Sequence, residues 1–96
     1  MIDKKSFRAA VKQVIKENNG SVSVCNQYVD AGGLAFANMR DVKVSWGRDE
    51  LSLFIPKEIT FTVPYRDIVS HSVSPMRKQI NIELVGRRLV SIRELQ

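Results

Sequence analysis

The run Val42-Lys43-Val44-Ser45-Trp46-Gly47-Arg48-Asp49-Glu50-Leu51-Ser52-Leu53-Phe54-Ile55 alternates apolar and polar residues on both sides of a polar, glycine-led centre. Alternation with a period of two is the mark of a strand, and Gly47-Arg48-Asp49-Glu50 reads as a four-residue loop closing a hairpin. In that register Trp46 faces Leu51, Val44 faces Leu53 and Val42 faces Ile55. Every large apolar side chain except Phe54 then lies on one face, with Lys43, Ser45 and Ser52 on the other. A slip of one residue would turn the whole apolar set over, so the pattern itself fixes the pairing. Trp46 is expected in the core, and Pro56 ends the second strand.

Working outward toward the C-terminus, Ile59, Phe61 and Val63 alternate with Thr60 and Thr62, and Pro64-Tyr65-Arg66-Asp67 reads as a turn. Residues 68–73 return as a strand, and Ser74-Pro75 breaks it. A second hairpin follows over 79–85 and 89–93. A three-residue loop, Gly86-Arg87-Arg88, pairs Leu84 with Val90 and Ile82 with Ile92, and sets Arg87 and Arg88 side by side at an exposed tip. Toward the N-terminus, Leu34 and Phe36 share parity with Val42, Val44 and Trp46, so residues 34–46 read as one long bent strand or two short ones. Asp30-Ala31-Gly32-Gly33 is a break before it, and Val22 and Val24 mark a short strand over 21–25.

Upstream of Ser21 the period changes to 3.6. Phe7, Ala10, Val11, Val14 and Ile15 follow the i, i+3, i+4, i+7, i+8 rule and define one stripe of a helix over 4–18. Asp3 or Ser6 supplies the N-cap, and Asn18-Asn19-Gly20 the left-handed stop. Lys5, Arg8, Lys12 and Lys16 recur on the opposite face. The fold class expected is α+β in a single domain. An N-terminal amphipathic helix packs on an antiparallel sheet of about five or six short strands drawn from these runs, with partly barrel-like curvature as a variant.

The stretch Thr60-Phe61-Thr62-Val63-Pro64-Tyr65-Arg66-Asp67-Ile68, with the later Ile80–Leu89 hairpin, resembles the strand pattern of PH- or GRAM-like domains of bacteria. The likeness covers residues 42–93. It implies a strongly bent antiparallel sheet and a binding role rather than catalysis. In those domains a C-terminal helix plugs the barrel, whereas here the clear helix is N-terminal, and no ligand residue carries over.

The chain has 96 residues, 44% hydrophobic and 26% charged, which is a globular composition in a length that holds one core. No run of eighteen apolar residues offers a membrane span, and the first residues lack the apolar run of a secretory signal, so a cytoplasmic protein is expected. Cys25 is the one cysteine and His71 the one histidine, which excludes an internal disulfide and a Cys/His zinc set. Cys25 reads as a small apolar strand residue and His71 as structural. Gly32-Gly33 lacks the residues of a phosphate loop, and Asp49-Glu50 offers too few donors for a metal. Hence no catalytic residue, cofactor, metal ligand or small-molecule substrate is expected.

What remains is charge and leftover apolar surface. The net charge is +5, unevenly spread: residues 1–20 and 61–96 each carry +3, and residues 21–60 carry −1. Two functions fit. The first is a small non-catalytic protein-interaction module, such as an accessory or inhibitory protein of a phage or mobile element. Its contact or self-association surface would be Phe54, Val85 and Leu89, which fall on the opposite side from their strand neighbours. The second is a nucleic-acid binder that uses Lys5, Arg8, Lys12 and Lys16 of the helix with the pairs Arg77-Lys78 and Arg87-Arg88.

Overall fold

The computed structural model describes residues 3–28, 33–74, 76 and 78–96. Asp30, Ala31, Gly32, Pro75 and Arg77, all invoked above, lie outside the described residues. The helix α1 runs Lys4–Glu17. Asp3 is its N-cap: the carboxylate accepts from the backbone N–H of Lys5 at 3.0 Å and of Ser6 at 3.4 Å. Asn19 (φ 57°) and Gly20 (φ 82°) take the left-handed conformation that stops it.

Eight strands follow among the described residues: β1 Val22–Tyr28, β2 Gly33–Met39, β3 Lys43–Trp46, β4 Glu50–Ile55, β5 Ile59–Pro64, β6 Ile68–Ser74, β7 Gln79–Leu84 and β8 Arg88–Arg93. The fold is α+β, and the strands divide between two antiparallel sheets rather than sharing one. Five form the order β2-β1-β8-β7-β6 and three form β3-β4-β5, and the sheets do not close into a barrel. The division falls inside the 34–46 run, where Asp41 takes φ 52° in a turn between β2 and β3. That turn also switches parity. Met39 and Ala37 face the core from β2, whereas Val44 and Trp46 do so from β3. Phe36, expected inside by its even parity with Trp46, therefore stands on the outward face opposite Cys25 and is 58% exposed.

The central hairpin has the register that its alternation demands, with Trp46 opposite Leu51 and Val44 opposite Leu53. The third expected pair is absent from the ladder, because Val42 instead donates its backbone N–H to the Gly20 carbonyl at 2.8 Å. Leu51 and Leu53 are fully buried, and Trp46 is only partly buried at the margin of the core.

The last hairpin is corrected by one position. Its loop is Val85-Gly86-Arg87, so Leu84 opposes Arg88, Ile82 opposes Val90 and Ile80 opposes Ile92. Gly86 (φ 78°) and Arg87 (φ 58°) are consecutive left-handed residues, and they set the turn one residue earlier than the apolar pattern suggests. The three-residue length, and with it the face of Ile82, Val90 and Ile92, is unchanged.

Phe7, Val11 and Val14 of α1 are fully buried, with Ala10 and Ile15 packed at the border. They lie across β7 and β8, in one cluster with Ile80, Ile82, Val90 and Ile92 and with Leu51, Leu53 and Val63 from the smaller sheet. Each such side chain contributes about 1.5–3 kcal/mol relative to exposure, which is why a helix of only 14 residues holds its place. Among the described residues no helix is long and apolar enough to cross a membrane.

Neighbouring residues test the register. Leu53→Ala should cost about 2–5 kcal/mol in urea unfolding, the usual range for a fully buried leucine. Phe54→Ala should cost well under that, since its ring points away from the cluster. The reverse order would place β4 one residue out of register.

Candidate functional site

At about 100° per residue, Lys4, Lys5, Arg8, Lys12 and Lys16 fall within a sector of about 120° on α1, next to the buried stripe of Phe7, Val11 and Val14. All five are exposed. The two carboxylates at the ends of the helix have other work. Asp3 caps the N-terminus, and Glu17 accepts from Gln13 Nε2 at 2.8 Å. Among the described residues no carboxylate oxygen lies within 4.0 Å of any of the five cations.

Three of the five lie instead over aromatic rings. The Arg8 guanidinium lies 5.3 Å and Lys12 Nζ 6.0 Å from the centroid of Trp46, and Lys4 Nζ lies 5.1 Å from that of Tyr65. Such contacts contribute about 0.5–1 kcal/mol each at exposed sites and give the side chains a preferred direction toward β3. The ring of Trp46, packed at the margin of the core, is thus covered in part by cations.

The same residues line a furrow. One hollow of about 480 Å³ is bordered by Lys4, Lys5, Arg8, Ala9 and Lys12. A second of about 370 Å³ continues from Lys12 past Ile15 and Lys16 to Gly20 and Val44. A third of about 590 Å³ is bordered by Lys4, Arg48, Tyr65 and Arg66 together with Asp49 and Glu50. Neighbouring hollows share Lys4 or Lys12 as a border, so they follow one another along α1. Arg48 and Arg66 were not singled out by the sequence, because their places in a hairpin loop and a 3-10 turn meet α1 only in the folded chain.

The other basic candidates distribute differently. Lys78 joins the far end of α1, where its backbone carbonyl accepts from Asn18 Nδ2 at 2.9 Å, and its side chain is exposed. Arg77 lies outside the described residues. Arg87 is exposed at the hairpin tip, but Arg88 is not beside it. The earlier turn makes Arg88 the first residue of β8, on the face of Val90 and Ile92. There its Nε donates to Asn26 Oδ1, and its guanidinium lies 5.8 Å from the ring centroids of both Tyr28 and Phe61. Neither arginine borders the furrow.

Phe54, Val85 and Leu89 do not gather into one patch. Phe54 is opposite Lys43 on the outward face of the smaller sheet, and Leu89 is opposite Glu83 and Gln27 on the outward face of the larger. Val85 is not in a strand but at the β7–β8 turn, 54% exposed. Cys25 is buried on the outward side of β1, its Sγ accepting from Arg93 Nη2 at 2.8 Å, and His71 is edge-on to Phe7 at 5.5 Å. Among the described residues no three His, Cys, Asp or Glu side chains come together to hold a metal.

No family model, curated protein or solved structure matches this chain.

Since Trp46 is the one tryptophan, its fluorescence reports on the furrow. Replacing Arg8 and Lys12 together by alanine should shift its emission to the red while the far-UV circular dichroism stays native. An unchanged emission would mean that the two side chains do not cover the indole.

Proposed function

We propose that this chain is a non-catalytic nucleic-acid-binding domain that holds the phosphate backbone along the basic face of α1. The observation that carries this reading is the set of five exposed cations in one sector, without carboxylate partners among the described residues, bordering the hollows that follow one another along the helix. The arrangement costs the isolated protein stability. Like charges at i, i+4 repel by a few tenths of a kcal/mol per pair, and Lys4 and Lys5 stand at the positive end of the helix dipole. Anions along the furrow relieve both strains.

A lipid surface fits less well. Interfacial helices insert their apolar face among acyl chains, and here that face is the protein core. The exposed neutral residues near the cations are Ser6, Ala9 and Gln13, none of which is an apolar anchor. A protein partner remains the second reading, favoured by β6. This strand is at the margin of the larger sheet and exposes Val69 (55%) and Val73 (41%).

Four or five phosphate contacts predict a slope of log K against log salt of about −3.5 to −4.5. Lys12→Glu with Lys16→Glu should weaken binding more than tenfold and flatten that slope, as read by fluorescence anisotropy with a labelled oligonucleotide. Affinity unchanged by the double reversal would overturn the reading. So would tighter binding to vesicles of anionic lipid than to nucleic acid.

A further inference from the structure

We infer, resting on that reading, that the ligand is a nucleic-acid duplex gripped by its backbone and not a single strand. Proteins that hold single strands combine a basic groove with aromatic rings on which successive bases stack. The furrow along α1 has the first and lacks the second. The two rings nearest to it are covered: Arg8 and Lys12 lie over the partly buried Trp46, and Tyr65 is 6% exposed beneath Lys4. The most exposed aromatic rings are elsewhere. Tyr28 (48% exposed) and Phe36 (58%) belong to β1 and β2, whereas α1 crosses β7 and β8. Phe54 stands on the outward face of β4. None of the three borders the hollows along α1. A base brought to this furrow by its phosphate meets aliphatic stems and charge, with no free ring.

The spacing of the cations points the same way. Lys4, Arg8, Lys12 and Lys16 are four residues apart, so they advance about 6 Å along the helix axis and rotate only about 40° at each step. The row spans about 18 Å along the helix axis. Phe7, Val11 and Val14 anchor the helix that carries this row, so the spacing is fixed before any ligand arrives. A duplex offers an equally fixed row of phosphates. A single strand must be ordered to match it, and without stacking only the phosphate contacts offset that loss of freedom.

The test compares, with the full chain and at one salt concentration, a labelled DNA duplex, an RNA duplex and the single strands of the same sequence. At least one duplex should bind tenfold or more tighter than its single strands, and the two duplex arms tell which form is preferred. Tyr28→Ala, Phe36→Ala and Phe54→Ala, each checked for native circular dichroism, should leave affinity within about twofold. Single strands bound as tightly as duplexes, or a loss of about tenfold or more in any of the three variants, would show stacking and overturn the inference while leaving a nucleic-acid role intact. Binding to none of the probes would overturn this inference together with the reading beneath it.

Discussion

Phe7, Val11 and Val14 seat the helix on Ile80, Ile82, Val90 and Ile92, and this buried contact fixes which way every other residue of α1 points. A helix of 14 residues is marginal in water by itself, so its persistence depends on the apolar stripe being covered. With the stripe face-down, the remaining circumference has no freedom to rotate. Lys4, Lys5, Arg8, Lys12 and Lys16 are held outward as a fixed row, and the burial of apolar surface on one side becomes the positioning of charge on the other.

The second consequence is electrostatic. Exposed cations usually find carboxylates, and in this chain the nearest ones in sequence are engaged as a cap and in a glutamine contact. The aromatic rings of Trp46 and Tyr65 take the partner's place for three of the cations. A ring quadrupole steadies a cation without neutralising it, so the positive potential over the furrow survives. This distinguishes the α1 face from the β7–β8 hairpin, where Arg88 is held by Asn26 between the rings of Tyr28 and Phe61.

The small sheet makes the furrow possible. It shares a core with the large sheet and supplies the wall, from Val44 and Trp46 to Arg48, against which α1 lies. Three backbone hydrogen bonds join these parts: Val42 to Gly20, Tyr65 to Asp49 and Val85 to Asp67, all between 2.8 and 2.9 Å. Each ties a turn to a neighbouring element, so the loops that carry Arg48 and Arg66 are placed by the backbone and not by their own charges.

The sequence by itself determined the helix, its buried stripe and basic face, and the register of the 43–54 hairpin. Each of these depends on a period, 3.6 or 2, that short-range geometry enforces whatever the rest of the chain does. It also determined the α+β class, since one helical period followed by many alternating runs admits little else. Tertiary structure alone decided the division into two sheets, the outward turn of Phe36 and the inward turn of Arg88. The first two depend on the left-handed Asp41, which resets the parity of the strand that follows, and the third on the left-handed Arg87, which moves the turn one residue earlier. Neither aspartate nor arginine announces that conformation as glycine does. The meeting of Arg48 and Arg66 with Lys4, and of Trp46 with Arg8 and Lys12, was likewise beyond the reach of pattern. Residues this far apart in the chain become neighbours only when two apolar faces close on a common core.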